Sequence, residues 1–513
     1  MKKLTDFEKF EEKYNTILQM QALLADSQFL YVELGRGSGK TTEIFAPRLM
    51  RVAYDMPRST LILGGATYTF ILETVIPGLL TYLNKHYKNG IHFVVGVKPP
   101  KFFLKPYAEI HKFNHTISFA WGTVIQLVSA DRPESMIGKN AAHLFVDELL
   151  RIPEVKMAER ILPALRGDRQ LFGKSPYFAG VSAFSSTPNF DTDYDWWLKY
   201  YDKMDKEKIK KIQYVALRLK QAKFISKTTA SENRKKYNEN FVKRWTEWLA
   251  KNRKGEITYI KGSSFSNLLI LGTEYIKNQL SGTTDFEKFK LSILGIRPNR
   301  VREMFFSNFN DKNIFDDSYK YNNIDLFSIS SEYNKTSNDL KYCNSSQPLL
   351  AGLDPGHFMS IVFAQTKNDG KELRALKNFY VIHPDQHFEM AKKINDFFIG
   401  HKNKTLLLYY DRAGNKKIYK SEKGETDAML LKAELELLGW SVNLMSIGQR
   451  TIFYWEHYML LNILFSKEKS PVKIMLDQNE CEECISSIYM SPLKRTDGEI
   501  KLDKSSEVKL KLS

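Results

Sequence analysis

Short apolar runs alternate with stretches of helical periodicity through the first part of the chain. Strand-like runs lie within 29–42 and 141–152 and at 59–67 and 178–189, with a hairpin pattern at 117–130 around Trp121 and Gly122. Ahead of them, a leading amphipathic helix is predicted at 6–25 by apolar residues at helical spacing: Phe7, Phe10, Tyr14, Ile17, Leu18 and Ala22. Strands that alternate with helical stretches predict a doubly wound parallel α/β sheet.

The second part of the chain carries a different order of elements. Residues 308–347 are rich in Asn, Ser, Asp and Tyr and show little periodicity, so we expect them to connect two domains. From Pro348 onwards the pattern predicts three strands, a helix and a fourth strand, at 349–357, 360–368, 372–382, 385–399 and 405–414. This is the order of an RNase H-like sheet, in which the first and fourth strands are neighbours.

These patterns divide the chain into domains. We expect an N-terminal domain at 1–307 with a lid or linker subdomain from about residue 191, a connection at 308–347 and a C-terminal domain at 348–513. A chain of 513 residues is too long for one core, and 43% apolar residues with 13% aromatics indicate packed globular domains.

The net charge of the chain indicates the kind of partner that the protein binds. The net charge is +17 with a pI near 9.3, which favours a polyanionic partner, nucleic acid first; the alternative is a basic surface that serves solubility. A lysine-rich segment could contact phosphates or be a solvated helix face: Lys203, Lys206, Lys208, Lys210 and Lys211. Trp196 and Trp197 beside it are expected to pack in a core or an interface rather than to form a base-stacking platform.

Cysteine content and hydropathy indicate the compartment. The three cysteines, Cys343, Cys481 and Cys484, form no disulfide framework, and the single CxxC lacks a second pair at zinc spacing. No apolar run reaches membrane-spanning length, and the polar N-terminus does not resemble a signal peptide. We therefore expect a cytosolic protein without a membrane partner.

The stretch FLYVELGRGSGKTT at 29–42 has the pattern of a phosphate-binding loop. A strand, a Gly-rich turn and a helix start bring backbone N–H groups and the positive end of the helix dipole to one point. Lys40 would reach the β and γ phosphates and Thr41 would hold Mg²⁺. Leu34 stands where the usual motif has its first glycine, so Gly35 and Gly37 are expected to give the backbone its freedom. The alternative is a flexible Gly/Ser turn.

Two carboxylates end the strand within 141–152. Asp147 would hold Mg²⁺ together with Thr41, and Glu148 would orient and deprotonate the attacking water. The alternative is a helix cap beside a surface acid.

Arg36 and the segment SSTP at 185–188 are further candidates for residues near the phosphates. Arg36 could stabilise transition-state charge as an arginine finger in cis, or could face solvent. Ser186 and Thr187 could sense the γ-phosphate or cap the next helix. Adenine recognition is left open among Gln19, Gln21 and Gln28.

The C-terminal domain has its own candidate site. Asp354 and Asp411 end the first and fourth predicted strands, and two carboxylates on neighbouring strand ends can bind divalent metal.

The combination GRGSGKT, LFVDE, FSSTPN, GLDPG and YYDRAG resembles the large terminase subunit of tailed bacteriophages, in family order over nearly the whole chain. The resemblance implies an ASCE-type P-loop ATPase that uses ATP and Mg²⁺ to translocate double-stranded DNA into a procapsid, and an RNase H-like nuclease that cuts concatemers with two Mg²⁺ or Mn²⁺ ions. It assigns the nucleotide loop to Gly35, Arg36, Gly37, Ser38, Gly39, Lys40, Thr41 and Thr42, Walker B and the base to Asp147 and Glu148, coupling to Ser186, Thr187 and Pro188, and nuclease metal to Asp354 and Asp411.

The resemblance also implies partners and a location. The partners are the portal protein and the small terminase subunit, with a ring on the portal and a monomer in solution. The location is the cytoplasm of the infected host, outside the mature virion. Two alternatives are a P-loop DNA helicase or translocase whose C-terminal domain binds DNA without cutting it, and a non-enzymatic basic DNA-binding assembly protein.

One position of the family pattern has no clear match. The family supplies a third nuclease acid from a helix close to the C-terminus, and the sequence ends at Ser513 before such a helix. Asp497, Asp503 and Glu507 are acids near the C-terminus, each more typical of a surface position, and Asp427 has the position of a helix cap.

Overall fold

The computed structural model describes residues 15–132, 138–188, 195–229, 231–281, 289–297, 303–320, 334–355, 358–382, 387–411, 415, 425–450, 452–466, 470–489, 491–496 and 499–502. The chain forms two compact units. The first comprises Met1–Ile276, Lys290–Pro298 and Ser328–Ser330, and the second Lys277–Phe289, Asn299–Phe327 and Ser331–Ser513. The positions Phe7, Phe10 and Tyr14 of the predicted leading helix lie outside the described residues.

The first unit is built on an eight-stranded sheet. Its strands are β1 Phe29–Leu34, β2 Thr60–Gly65, β3 Phe93–Val95, β4 Thr116–Phe119, β5 Val124–Ser129, β6 His143–Val146, β7 Gly180–Ser185 and β8 Ile257–Gly262. The order across the sheet is β3-β4-β5-β2-β6-β7-β1-β8. All neighbours are parallel except in the antiparallel β3-β4-β5 segment, which contains the predicted hairpin. The predicted doubly wound parallel sheet is confirmed.

Five longer helices accompany this sheet: α1 Ile17–Ala25, α2 Ala46–Asp55, α3 Ile76–His86, α4 Lys206–Thr228 and α5 Glu232–Arg253. A further helical segment, α6 Leu268–Ser281, is interrupted at Gly272 and runs from the first unit into the second, to which Lys277 belongs. Shorter helical turns lie at Tyr68–Phe70, Glu154–Lys156, Arg169–Phe172 and Lys199–Asp202. The parallel strands are buried on both faces because helices cover both sides. Among the described residues, no helix is long and apolar enough to cross a membrane.

Strand β7 lies between β1 and β6. The strand that precedes the Gly-rich loop and the strand that ends at Asp147 are therefore separated by the strand that leads to Ser186. This is the strand order of ASCE-type P-loop domains. It brings the carboxyl ends of all three strands to one edge of the sheet, where parallel α/β sheets bind ligands.

A buried ionic network lies at the other end of the strands, where β1 begins. Asp26, 1% exposed, accepts hydrogen bonds from Arg48 at 2.6 Å and from the Tyr177 hydroxyl at 2.6 Å, and it also pairs with Arg51. These three neighbours stabilise the buried Asp26 carboxylate. Because Asp26 lies between α1 and β1, they also fix the connection between these two elements. The nearby arginines hold the pKa of Asp26 well below its usual range although burial opposes this.

The second unit contains a seven-stranded sheet. Its strands are β9 Ile314–Phe315, β10 Leu349–Asp354, β11 Phe358–Lys367, β12 Glu372–Ile382, β13 Thr405–Tyr410, β14 Ser441–Leu444 and β15 Lys473–Asp477, in the order β14-β13-β10-β11-β12-β15-β9. A small hairpin, β16 Leu493–Thr496 with β17 Glu499–Leu502, is separate from it. The helices are α7 His387–Phe397, α8 Asp427–Leu437, α9 Tyr454–Phe465 and α10 Glu482–Tyr489.

The first five strands after Pro348 have the RNase H-like arrangement. Strands β10, β11 and β12 form an antiparallel meander, and β13 and β14 follow in parallel on the other side of β10. The predicted first and fourth strands, β10 and β13, are thus neighbours, and the predicted fold class is confirmed.

The segment 308–347, which we expected to connect the domains, contributes to this second unit. Strand β9 pairs in parallel with β15, and Ser318 donates a hydrogen bond to Asp477 at 2.6 Å. A two-residue strand is too short to produce a periodic pattern, which is why the sequence did not indicate it. The boundaries of the domains stay a prediction.

Candidate active sites

The Gly-rich loop after β1 is held by backbone contacts. A Cβ atom at Gly35 would lie 2.4 Å from Ser264 Oγ and 2.6 Å from the Ile293 carbonyl oxygen. The next residue, Arg36, donates its N–H to the Ser292 carbonyl at 2.9 Å and accepts a hydrogen bond from Ser264 Oγ at 2.5 Å. Contacts on this scale do not suit the alternative of a loose Gly/Ser turn.

The missing first glycine of the motif has a structural explanation. Leu34 is the last residue of β1, and its side chain is fully buried in the sheet. The close backbone approach occurs one residue later, at Gly35, while Gly37 and Gly39 adopt φ of +76° and +75°. Left-handed backbone of this kind favours glycine, so the loop keeps its glycines where its geometry requires them.

Lys40 begins a π-helical turn, Lys40–Phe45, that leads into α2. Its Nζ donates to the carbonyls of Leu34 at 2.7 Å and Gly35 at 3.3 Å, so the side chain folds back over the loop. Burial lowers the pKa of Lys40, while Glu148 and Asp147 oppose this shift. Thr41 and Thr42 follow in the first turn, where N–H groups lack partners within the helix.

The loop residues fit a phosphate group. Ser38 is 2% exposed, and within the described part of the chain its Oγ has no hydrogen-bond partner. The Thr187 hydroxyl, on the neighbouring strand end, is likewise buried without a partner there. Buried polar groups normally find partners. The Ser38 hydroxyl, two residues before Lys40 and next to a helix start, suits an oxygen of a bound phosphate.

Asp147 and Glu148 follow β6. Asp147 is 6% exposed, and its burial together with Glu148 raises its pKa to about 7. Glu148 adopts φ of +50°, a sparsely populated conformation for a residue with a side chain. No side-chain hydrogen bond of Glu148 caps the helical turn Leu149–Arg151 that follows. The structure therefore does not place the pair as a helix cap.

Ser186 connects β7 to Glu148. Its N–H donates to Glu148 Oε2 at 3.3 Å, and its hydroxyl lies 3.4 Å from Oε1. Ser185 makes a second link, accepting the Leu150 N–H at 3.0 Å. The carboxylate is thus oriented by the strand that separates it from the loop. Pro188, the last described residue of the segment, is buried.

Arg36, Gln19 and Gln28 are placed differently from one another. The Arg36 side chain is exposed, although its charge acts on the pKa of Lys40. Gln19 is fully buried and donates to the Ser38 carbonyl at 2.9 Å, which makes it a support of the loop. Gln28 bonds the backbone of Phe178 and Gly255 at the other end of β1. The side-chain amides of Gln19 and Gln28 are therefore engaged by backbone groups.

The second candidate site lies at the ends of β10 and β13. Leu353 and Tyr410 are directly paired, so Asp354 and Asp411 are at or just beyond the next position of the two strands. Both carboxylates line a cleft of about 730 Å³. Two carboxylates with open space around them suit Mg²⁺ or Mn²⁺, which keeps water and phosphate oxygens as its other ligands.

His457 lines the same cleft and was not indicated by the sequence. It lies in the first turn of α9, 46 residues after Asp411. A single histidine on a helix gives no signal without the fold. Among the described residues, no three His, Cys, Asp or Glu side chains are grouped closely enough to hold a metal together.

The other candidates for a third nuclease acid are resolved in part. Asp427 begins α8 and its Oδ1 lies 3.0 Å from His387 Nε2, and it is not among the residues that line the cleft. Asp497, Asp503 and Glu507 lie outside the described residues.

By fold, the chain combines an ASCE-type P-loop domain with an RNase H-like domain. No protein-family model matches the chain, and no curated protein sequence is significantly similar to it. Solved structures that resemble it include the large terminase of the thermophilic bacteriophage D6E, with 13% identity, 96% of each chain covered and a TM-score of 0.38.

Two further structures correspond to parts of the chain. The large terminase ATPase domain of Thermus phage P74-26 matches at 13% identity over 57% of this chain and 96% of its own, with a TM-score of 0.32. The P22 large terminase nuclease domain matches at 12% identity over 32% of this chain and 76% of its own, with a TM-score of 0.24. Similarities of this size do not by themselves assign an activity.

Proposed function

We propose that the first unit hydrolyses ATP. The observation that carries this proposal is the hydrogen bonding of Glu148 to Ser186, which aims a carboxylate at the strand edge where the loop with Lys40 begins its helix. Lys40 and the loop N–H groups bind the phosphates, and Glu148 accepts the proton of the attacking water. Asp147 and Thr41 would hold Mg²⁺, which neutralises phosphate charge when bound.

Hydrolysis would be coupled to movement through β7. Ser186 bonds the proposed base, and Thr187 presents a buried hydroxyl without a described partner. Loss of the γ-phosphate changes the charge that these groups face, so the segment ending in Pro188 and the exposed Arg36 are the proposed switch.

The second unit would cut DNA. Asp354 and Asp411 would hold Mg²⁺ or Mn²⁺, which lowers the pKa of bound water and stabilises the leaving oxygen. His457 lines the same cleft and is the proposed third polar group; it would hold a proton near the scissile phosphate, because it and the two carboxylates are not grouped closely enough to share a metal ion.

Together these units would form a viral DNA-packaging motor, the class of protein whose motifs the sequence resembles. Double-stranded DNA is the proposed substrate of both activities, and the portal protein and the small terminase subunit are the proposed partners, on which the chain would form a ring. The motor would act in the cytoplasm of the infected bacterial host.

The two activities can be separated by one pair of variants. Lys40→Ala should abolish ATP-dependent phosphate release and leave Mn²⁺-dependent plasmid cleavage intact, while Asp354→Ala should do the reverse. Phosphate release that persists in Lys40→Ala would contradict the ATPase proposal. Cleavage that persists in Asp354→Ala would contradict the nuclease proposal and favour a translocase that binds DNA without cutting it. If the wild-type protein shows neither ATP hydrolysis nor DNA cleavage, the result would favour a non-enzymatic assembly protein.

A further inference from the structure

Helices α4 and α5 carry most of the net charge of the chain. Residues 206–253 contain fifteen Lys and Arg against four Glu and no Asp, a net charge of +11 out of +17 for the whole sequence. A surface kept basic for solubility alone mixes both signs. Here positive charge is concentrated in two adjacent helices, which gives this hairpin a polyanion-binding character.

The charges face solvent. Twelve of the fifteen cationic side chains are exposed: Lys206, Lys210, Lys211, Arg218, Lys220, Lys223, Lys227, Arg234, Lys236, Lys243, Arg244 and Lys251. Exposed aromatic residues lie among them, with Tyr214 at 65%, Phe224 at 51% and Tyr237 at 70% exposure. Lys206, Lys210, Tyr214 and Arg218 follow one another at four-residue spacing, which places them in a row along one face of α4.

The opposite face of the hairpin holds it to the domain. Ile209, Ile212, Ala216 and Leu219 of α4 form a buried cluster with Leu24 of α1. The cationic row lies outside this cluster, and its described contacts are local ones, such as Lys206 over the Tyr201 ring and Lys210 with Glu207. In addition, Arg253 donates to the carbonyls of Ala25 and Leu24, at 2.9 Å and 2.8 Å, so both helices are fixed to α1.

Helix α1 also contacts the phosphate loop. Gln19 donates to the Ser38 carbonyl at 2.9 Å, and two residues along the helix the Gln21 carbonyl accepts a hydrogen bond from Gln213 of α4 at 3.1 Å. A short helix thus touches the loop and the basic hairpin at once. The phosphate loop is therefore connected to the cationic helices through the contacts of α1.

We propose that the exposed cationic face of α4 and α5 grips the phosphate backbone of double-stranded DNA and is the element that the ATPase site moves. The inference rests on the proposed function. Double-stranded DNA fits better than an acidic protein because the row from Lys206 to Arg218 spans about 18 Å at 1.5 Å per residue, a length over which one strand of B-DNA presents about five phosphates. The row of charges then meets phosphates without needing a particular sequence.

The test removes the row without disturbing the buried face. The triple variant Lys206→Gln, Lys210→Gln, Arg218→Gln is compared with a matched control, Lys85→Gln, Lys88→Gln, Lys174→Gln, which removes three exposed lysines elsewhere in the same unit. Affinity for a 40-base-pair duplex of arbitrary sequence is measured with the full-length proteins at several salt concentrations. Basal ATP hydrolysis and its stimulation by DNA are measured in parallel.

We expect the row variant to bind DNA at least about tenfold more weakly at low salt and to lose about 0.9 from the salt slope for each phosphate contact removed. Its basal ATP hydrolysis should match wild type, while stimulation by DNA should fall. The control variant should bind as wild type does. Equal affinity and equal salt slope in the row variant and wild type would overturn the inference and leave an acidic protein as the partner of this face. Absence of basal hydrolysis in the wild-type protein would instead overturn the ATPase proposal, whatever the DNA-binding result.

Discussion

Replacing Gly35 by alanine tests whether the phosphate loop is fixed by its neighbours. The new Cβ would lie 2.4 Å from Ser264 Oγ, 2.6 Å from the Ile293 carbonyl oxygen and 2.8 Å from the Ser264 N. Two of these three atoms belong to the backbone, so the loop itself must shift. Overpacking of this kind costs about 1–3 kcal/mol, and if ATP binding must restore the original loop, its affinity falls by about 5- to 150-fold.

The assay is an equilibrium titration with a fluorescent ATP analogue, accompanied by thermal unfolding of each variant. Gly64→Ala is the matched control, because a Cβ there meets its nearest heavy atom at 3.6 Å, an ordinary contact, in β2 of the same sheet. The control should bind the analogue as wild type does. Wild-type affinity in Gly35→Ala at an unchanged unfolding temperature would refute the idea that these contacts set the loop conformation.

Three other substitutions have clear expectations. Asp26→Asn keeps the side-chain shape but leaves the buried Arg48 without its carboxylate, so the free energy of unfolding should fall by about 3–5 kcal/mol at pH 7; because the pKa of Asp26 is lowered, this difference should shrink as the pH falls below the usual carboxyl range, and urea denaturation at pH 7 and about pH 2.5 checks both points. Asp477→Asn should act in the opposite sense, since burial raises the pKa of Asp477 to about 7, so that the wild-type protein loses stability as the pH rises through 7. The variant should be more stable than wild type by about 2–4 kcal/mol at pH 8 and little changed at pH 4. Unfolding measured at both pH values checks this expectation. His457→Ala should lower Mn²⁺-dependent plasmid cleavage by about 10- to 100-fold and spare ATP hydrolysis; full cleavage activity would remove His457 from the site, and His387→Ala, outside the cleft, is the control.

The sequence predicted the sheets well because their signals are local. Buried strands such as His143–Val146 and Gly180–Ser185 are short, mostly apolar runs that are followed by polar residues, and glycines mark the turns. The order of elements also predicted the pairing of β10 with β13, and with it the placement of Asp354 and Asp411 at neighbouring strand ends.

What the sequence did not predict depends on contacts between distant segments. His457 joins the second cleft through the packing of α9, and Gln19 supports the loop from a helix that carries no motif. Ser264 and Ile293, which crowd Gly35, lie more than 220 positions further along the chain. No local pattern marks such partners, because they are selected by tertiary packing. The roles assigned to the site residues themselves stay predictions.

Glu148→Gln isolates the proposed catalytic base with the least structural change. The amide keeps the size of the side chain and an oxygen that can accept from Ser186, so ATP should bind as in wild type. Glu154→Gln, an exposed glutamate that pairs with Lys199, is the matched control. Single-turnover phosphate release should fall by about 10²- to 10⁴-fold in Glu148→Gln and stay at the wild-type rate in the control. Release at the wild-type rate in Glu148→Gln, with ATP bound, would contradict the proposal that this carboxylate activates the attacking water.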